Sequence, residues 1–504
     1  MTNRNLYHLL QSRFSHARDN LFLDHARGML SYGAADEGSA RIAGALRAAG
    51  AQKGDRVVVQ VAKTPEAVMT YLACLRIGAV YIPLNTAYTA AEVGYFLDDA
   101  APRVLVCDPS ARGRLADVIP AGTEVLELDD SGRGSLMAAA QTATPVTQIE
   151  PCTSDDLAAI LYTSGTTGRS KGAMLTHGNL ASNALALHDI WRFEPGDVLL
   201  HALPIFHVHG LFVALHCAML NASRVIFQKG FDAGAVVDSL PDATVLMGVP
   251  TLFTRLLEHP CFSRATCANM RLFISGSAPL LPETFARFEQ VTGQRILERY
   301  GMSEAGMITS NPYGGPRIAG TVGFALPGVG VRVADEAGQV LGAGEVGVLE
   351  ITGPNVFAGY WQMPEKTASE FRDDGWFITG DLAVMDAEGR VSIVGRARDL
   401  VISGGFNVYP KEVETEIDAL EGVRESAVIG VPHPDFGEAV LAVVVPAAEA
   451  APSAGVIHSA LRGRLANFKQ PKKIVFRQEL PRNTMGKVQK NLLREEFADS
   501  FSNR

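Results

Sequence analysis

Along this chain, short apolar-rich runs alternate with stretches in which apolar residues recur every three or four positions. Val57 to Val61, Ala79 to Leu84, Val104 to Cys107, Val198 to Leu203, Val225 to Phe227, Val245 to Val249 and Leu272 to Ser275 have strand length and β-branched character. Between the first two, Pro65 to Ile77 carries Val68, Leu72 and Leu75 at helical spacing. Strands alternating with helices predict an α/β protein with mainly parallel sheets covered on both faces. From Val331 to Val394 the runs shorten and are separated by Gly-Asp turns, with Val346 to Ile351 and Val391 to Val394 the clearest strands, so a smaller β-rich unit is expected there. After Asp399 the pattern restarts: a helix over Glu412 to Leu420, strands over Ser426 to Val431 and Val440 to Val445, a small-residue loop from Pro446 to Gly455, and a helix over Ile457 to Leu465. This predicts a large, multi-part domain over residues 1–398 and a compact α+β unit over 399–504. At the other end, Leu6, Leu9 and Leu10 lie at helical spacing and predict a retained first helix rather than a targeting sequence.

Composition narrows the class of function. The 504 residues, 47% hydrophobic and 20% charged with 49 glycines, describe an ordinary soluble enzyme with several cores. A net charge of −9 provides no electrostatic footprint for nucleic acid or an anionic membrane. No apolar run approaches the ~20 residues of a membrane span. Cys74, Cys107, Cys152, Cys217, Cys261 and Cys267 are scattered without a C-x-x-C pair, as expected of a reduced, cytoplasmic protein.

The chemistry concentrates in a few segments. Ile160 and Leu161 lead into a loop where Thr163, Ser164, Gly165, Thr166, Thr167, Gly168, Ser170, Lys171 and Gly172 crowd together. Glycines let backbone N–H groups approach phosphate oxygens, hydroxyls add donors or metal ligands, and Lys171 adds charge. It is not a Walker A loop, because Lys171 follows Ser170 and precedes Gly172. On composition alone it could equally be a surface loop, as Asp381 in Thr-Gly-Asp could be a turn residue and Lys487 one lysine of a basic tail with Arg482, Lys490 and Arg494.

Taken together, the segments resemble the adenylate-forming superfamily of acyl-CoA synthetases, peptide-synthetase adenylation domains and luciferases. The resemblance rests on Tyr162 to Met174, Arg299-Tyr-Gly-Met-Ser-Glu304, Thr379-Gly-Asp381, Gly395-Arg-Ala-Arg-Asp399, Gly404-Gly-Phe-Asn-Val-Tyr-Pro410 and Pro481-Arg-Asn-Thr-Met-Gly-Lys487, in that order along nearly the whole chain. It implies that ATP activates a carboxylate as acyl-AMP with release of pyrophosphate, after which coenzyme A takes the acyl group. The phosphate loop would hold pyrophosphate, and Thr163 and Glu304 would contact Mg²⁺. Gly276, Ser277, Ala278 and Pro279 with Glu298, Arg299, Tyr300, Gly301, Met302 and Ser303 would wall the adenine and α-phosphate; Ser303 stands where threonine is commonest. Asp381 and Arg396 would hold the ribose. Lys487 would stabilise charge on the α-phosphoryl group, Asp399 would be the hinge of a mobile lid, and Gly404 and Gly405 would line a passage for the pantetheine thiol. Acetylation of Lys487 by a lysine acetyltransferase would remove its charge.

Leu203-Pro-Ile-Phe-His-Val-His-Gly210 places His207 and His209 on one face of a predicted strand, but two histidines without a third ligand make a poor zinc site. His207 instead matches a gate beside the acyl pocket, and the His-Val-His-Gly string resembles malonyl-CoA synthetases. A dicarboxylate such as malonate or methylmalonate leaves one carboxylate unreacted, and arginine suits it. Arg255 is the leading candidate, with Ser277 as a second donor and Arg317 as runner-up. On pattern alone Arg255 is a surface residue, since Leu252, Phe253, Leu256 and Leu257 form the apolar face of its helix. The alternatives are a synthetase for another short acid, an enzyme loading a carrier protein, or a nucleotide-sensing protein without chemistry.

Overall fold

The computed structural model describes residues 3–163, 170–403, 406–433, 436–447, 452–462, 464–465, 467–483 and 486–501. Two sheets dominate the large domain. One runs Glu124–Glu127, Val104–Cys107, Arg56–Gln60, Val80–Pro83, Leu157–Thr163 and Lys171–Thr176, parallel except for the final pair. The other has nine strands, with the parallel run Leu297–Met302, Leu272–Ser275, Val245–Gly248, Val198–His201, Arg224–Phe227 and Leu21–His25 flanked by antiparallel edges. Arg56–Gln60, Val80–Pro83, Val104–Cys107, Val245–Gly248 and Leu272–Ser275 are buried almost throughout, which is why they read as unbroken apolar runs rather than as alternation. The β-rich unit is a four-stranded antiparallel sheet from Gly330–Ala334 to Val391–Arg396.

The small C-terminal domain is built on a ribbon of Val423–His433 and Gly437–Pro446, longer than the predicted strands because polar residues extend the pairing beyond the apolar centre. Its side chains alternate between two cores. Val428, Val440, Ala442 and Val444 pack with Val413 and Ile417 of helix Pro410–Asp418 and with Ile457 and Leu461 of helix Ala454–Arg462. Ala427, Ile429, Val431, Leu441 and Val443 pack on the other face against Leu493 of helix Lys490–Glu496. No helix among the described residues is long and apolar enough to cross a membrane. Of the cysteines, only Cys261 is exposed.

The predicted first helix is present as Leu6–Phe14, capped by Asn5, whose amide also donates to Leu75 O at 2.7 Å and Glu150 O at 3.0 Å. It is anchored on a buried charge centre. Arg76, 1% exposed, pairs with Asp36, donates to the Tyr7 hydroxyl at 2.9 Å and lies over the Tyr7 ring. Arg18 adds a half-exposed second ion pair to Asp36 at 2.7 Å. Removing one member of a buried pair leaves the other uncompensated, whereas an exposed partner contributes little. Asp36→Ala is therefore expected to destabilise the large domain by roughly 3 kcal/mol, and Arg18→Ala by less than about 1 kcal/mol. Urea unfolding followed by tryptophan fluorescence would check this; equal losses would mean that Arg76 is not the dominant partner.

Candidate active site

Two hairpins, one from each large sheet, carry the predicted nucleotide residues. Leu157–Thr163 and Lys171–Thr176 form the first, with Thr163 paired to Lys171. Thr163 Oγ1 donates to Lys171 O at 3.4 Å. Ser164, Gly165, Thr166, Thr167 and Gly168 lie outside the described residues, as do Gly404 and Gly405. Lys171 opens the return strand, pairs with Glu370 at 3.2 Å and stands 4.2 Å over the Tyr360 ring. The second hairpin joins Leu297–Met302 to Gly306–Ser310. Glu304 sits in its turn, 7% exposed, and accepts a hydrogen bond from Tyr360 Oη at 3.1 Å. Gly301 is required here, because a Cβ would collide with the Gly306 carbonyl. Ser303 lies in the same turn.

Asp381 lies on strand Phe377–Met385 directly opposite Arg396 of Val391–Arg396, with Arg396 Nε 3.1 Å from Oδ1. Tyr300 Oη donates to the other carboxylate oxygen at 2.6 Å, so Asp381 and Tyr300 form one wall from two sheets. Thr379 Oγ1 accepts from the Asp381 N–H at 3.1 Å within the same strand.

At the C-terminal end of Leu272–Ser275 the chain turns through Gly276, Ser277, Ala278 and Pro279. Ser277 has a φ of 72°, an uncommon conformation for a residue with a side chain, and its hydroxyl lies 3.4 Å from His209 Nδ1. A Cβ on Gly276 would strike the Arg299 guanidinium, so the glycine lets that group lie against the backbone. Arg299 is 3% exposed, and among the described residues none of its three guanidinium nitrogens has a hydrogen-bond partner. Burial pushes its pKa down to about 9.

The predicted strand through His207 and His209 is absent. Val198–His201 ends at His201, and a wide helical turn begins at His209 and runs to Leu215. His201 Nε2 lies 2.9 Å from the Gly210 carbonyl, which ties the turn back and takes the two histidines off any shared strand face. His207 is held down at about 4 by burial, reinforced by the charges of Arg299 and Lys487. His209 is lowered by burial and by Arg299. Both rings are neutral at physiological pH.

The loop carrying Lys487 reaches the large domain. It packs so closely on helix Pro250–Leu257 that a Cβ on Gly486, whose φ is 73°, would meet Thr251 Oγ1 at 2.9 Å. Arg482 braces the loop by donating to Gly486 O at 2.6 Å and pairing with Glu425, and Lys490 pairs with Glu414 at 2.5 Å. Asp399 accepts from Arg494 at 2.6 Å, joining the predicted hinge to the helix that follows Lys487.

The family model for AMP-binding enzymes matches residues 11–361, and that for the AMP-binding enzyme C-terminal domain matches residues 412–487. The chain belongs to this family. ATP-bound MatB from Rhodopseudomonas palustris superposes with a TM-score of 0.98 at 54% identity, covering 99% of this chain and all of that one. Feruloyl-CoA synthase from Amycolatopsis sp is 36% identical over 94% of this chain and 95% of its own length. The mitochondrial malonate–CoA ligase of Mus musculus is 35% identical over 84% and 78%. The protein is thus an ATP-dependent adenylate-forming enzyme placed among acid–CoA ligases. Within that family frame, the arginines separate. Arg255 is exposed on the apolar-faced helix, one turn from Thr251 and so on the side that meets the Lys487 loop. Arg317 donates to the carbonyls of Pro312, Tyr313 and Arg295 at 3.4, 2.9 and 2.6 Å, and is spent on the loop that carries it. Tyr360 and Glu370 were not predicted, because nothing local in Ala358-Gly-Tyr-Trp361 signals that the tyrosine hydroxyl meets Glu304.

Glu298 offers a pH test. Burial raises its carboxyl to about 8, opposed by the Gly320 N–H and by Lys411. The folded state then holds a proton that the unfolded chain releases above about pH 4.5, so this group's contribution falls as pH rises towards 8. Glu298→Gln is expected to gain stability relative to the native protein by on the order of 1 kcal/mol per pH unit between pH 5 and 8. Urea midpoints at both ends would check it, and a constant difference would show that Glu298 is ionised in the fold.

Proposed function

We propose that this enzyme is a malonate–CoA ligase that forms malonyl-CoA, AMP and pyrophosphate through malonyl-adenylate, with methylmalonate as a second substrate. The observation that carries the reading is Arg299, a buried guanidinium with no hydrogen-bond partner among the described residues. An isolated buried charge is unfavourable, and a guanidinium matches a carboxylate bidentately. A short diacid can place its idle carboxylate on Arg299 while the reacting one meets the α-phosphate beside Lys487. Neutral His207 and His209 then offer hydrogen bonds without competing for the anion, and Ser277 adds a hydroxyl. This moves the main role from Arg255 to Arg299, with Arg255 at the rim. The kinship with a malonate–CoA ligase and with MatB supports the same reading.

In this reading, the hard oxygen donors of Glu304 and Thr163 suit Mg²⁺, which would neutralise phosphate charge when bound. Asp381 and Tyr300 hold the ribose side, and Lys171 with the phosphate loop holds the leaving pyrophosphate. Lys487 favours charge developing at the α-phosphoryl group, and its acetylation would abolish that contribution. Asp399 serves as the hinge between residues 1–398 and 399–504, and Gly404 and Gly405 admit the thiol.

Pyrophosphate release with acetate, propionate, malonate, methylmalonate and succinate, with acyl-CoA followed by mass, tests the substrate. Malonate is expected to dominate, and a preferred monocarboxylate would remove the diacid reading while keeping adenylation. Arg299→Gln is expected to lower kcat/KM for malonate by about 100-fold and to spare propionate; equal losses would assign Arg299 to the nucleotide. Lys487→Ala is expected to slow adenylate formation by at least about 100-fold with MgATP binding retained, and unchanged pyrophosphate exchange would remove it from the mechanism.

A further inference from the structure

Glu304 and Lys171 lie on hairpins that belong to different sheets, yet a short chain of contacts joins them. Tyr360 Oη donates to Glu304 Oε1 at 3.1 Å and to Glu370 Oε2 at 2.8 Å. Glu370 Oε1 pairs in turn with Lys171 Nζ at 3.2 Å and with Lys366 Nζ at 2.6 Å. The tyrosine is 3% exposed and its backbone is locked. Met174 N–H donates to Gly359 O at 3.0 Å, Trp361 N–H donates to Gly172 O at 2.8 Å, and Thr367 Oγ1 accepts from Tyr360 N–H at 2.9 Å. The segment Ala358 to Trp361 therefore runs as an added rail along the return strand Lys171–Thr176. Its hydroxyl is delivered to the turn of the other hairpin, where Phe357 N–H also donates to Glu304 O at 2.7 Å.

We propose that Tyr360 and Glu370 are positioning residues that couple Glu304 to Lys171, so that the carboxylate facing the metal and the lysine facing the phosphates are set as one unit. The hydroxyl has a single proton shared between two carboxylates, so it fixes their separation without neutralising either. Glu370 holds Lys171 over the Tyr360 ring, where its long side chain would otherwise sample many rotamers. The ligand served is the magnesium complex of a nucleoside triphosphate, whose phosphates need a cation and an oxygen ligand at a fixed spacing. The inference rests on the nucleotide half of the proposed reaction and not on the identity of the acid.

The test uses the full-length enzyme with ATP and Mg²⁺ and no acid or coenzyme A, so it reads neither turnover nor acid choice. Tyr360→Phe removes only the hydroxyl and keeps the ring beneath Lys171; Glu370→Gln keeps the shape and removes the charge. Calorimetric titration of MgATP is expected to show each single variant about tenfold weaker. The double variant should be far less than a hundredfold weaker, because both changes break one unit. The Mg²⁺ concentration that half-saturates ATP binding should rise by a similar factor in Tyr360→Phe. Thermal melts of the free proteins would identify a variant that fails to fold. Native affinity and Mg²⁺ dependence in Tyr360→Phe, or losses that multiply independently in the double variant, would overturn the coupling.

Discussion

Placing a guanidinium inside a protein without an acid beside it is costly, and Arg299 is held in the large domain with that interaction unfinished among the described residues. Arg299 comes from the strand that also supplies Tyr300, so the group that lacks a partner and the group that bonds Asp381 are neighbours in sequence pointing to opposite sides of one strand. Gly276 gives way to the guanidinium, Ser277 adopts a left-handed backbone beside it, and two imidazoles are kept neutral around it. Each of these would be a defect in an ordinary core. Together they surround the position proposed for the idle carboxylate.

The geometry follows from where the parallel sheets end. In each of the two large sheets an antiparallel hairpin closes one edge of the parallel run. Parallel strands provide a buried, rigid base; the hairpins provide backbone that can approach a ligand. The smaller antiparallel sheet then contributes Asp381 and Arg396 as cross-strand neighbours, and the C-terminal domain contributes Lys487 on a loop clamped by Arg482 and Lys490. The residues of the proposed site thus come from three sheets and a loop of the C-terminal domain, so no contiguous stretch of chain contains them.

Much of this was legible in the sequence, for identifiable reasons. Val104–Cys107 and Leu272–Ser275 were found to the residue because strands buried on both faces leave an uninterrupted apolar mark. The ribbon of the small domain was found only at its centre, because pairing outlasts burial. The stretch from His207 to His209 was misjudged for a different reason: strand-like composition around Leu203 continued past the point where His201 turns the chain by bonding to Gly210, a contact across nine residues that periodicity cannot express. The same limit applies to the arginines. Arg255, Arg299 and Arg317 differ little in local pattern, yet one is exposed, one is buried without a hydrogen-bond partner among the described residues and one is consumed by carbonyls. Burial and hydrogen-bond satisfaction are properties of the fold, and only they tell the three apart.

The two apolar faces of the small domain's sheet are each sealed by helices of that same domain. Near Lys487 it meets the large domain through Gly486 against Thr251, and Asp399, at the start of the small domain, is paired with Arg494 of the same domain. A body so self-contained can change its seat without opening its interior. Moving it would cost the contacts at its edge and none of the burial within it.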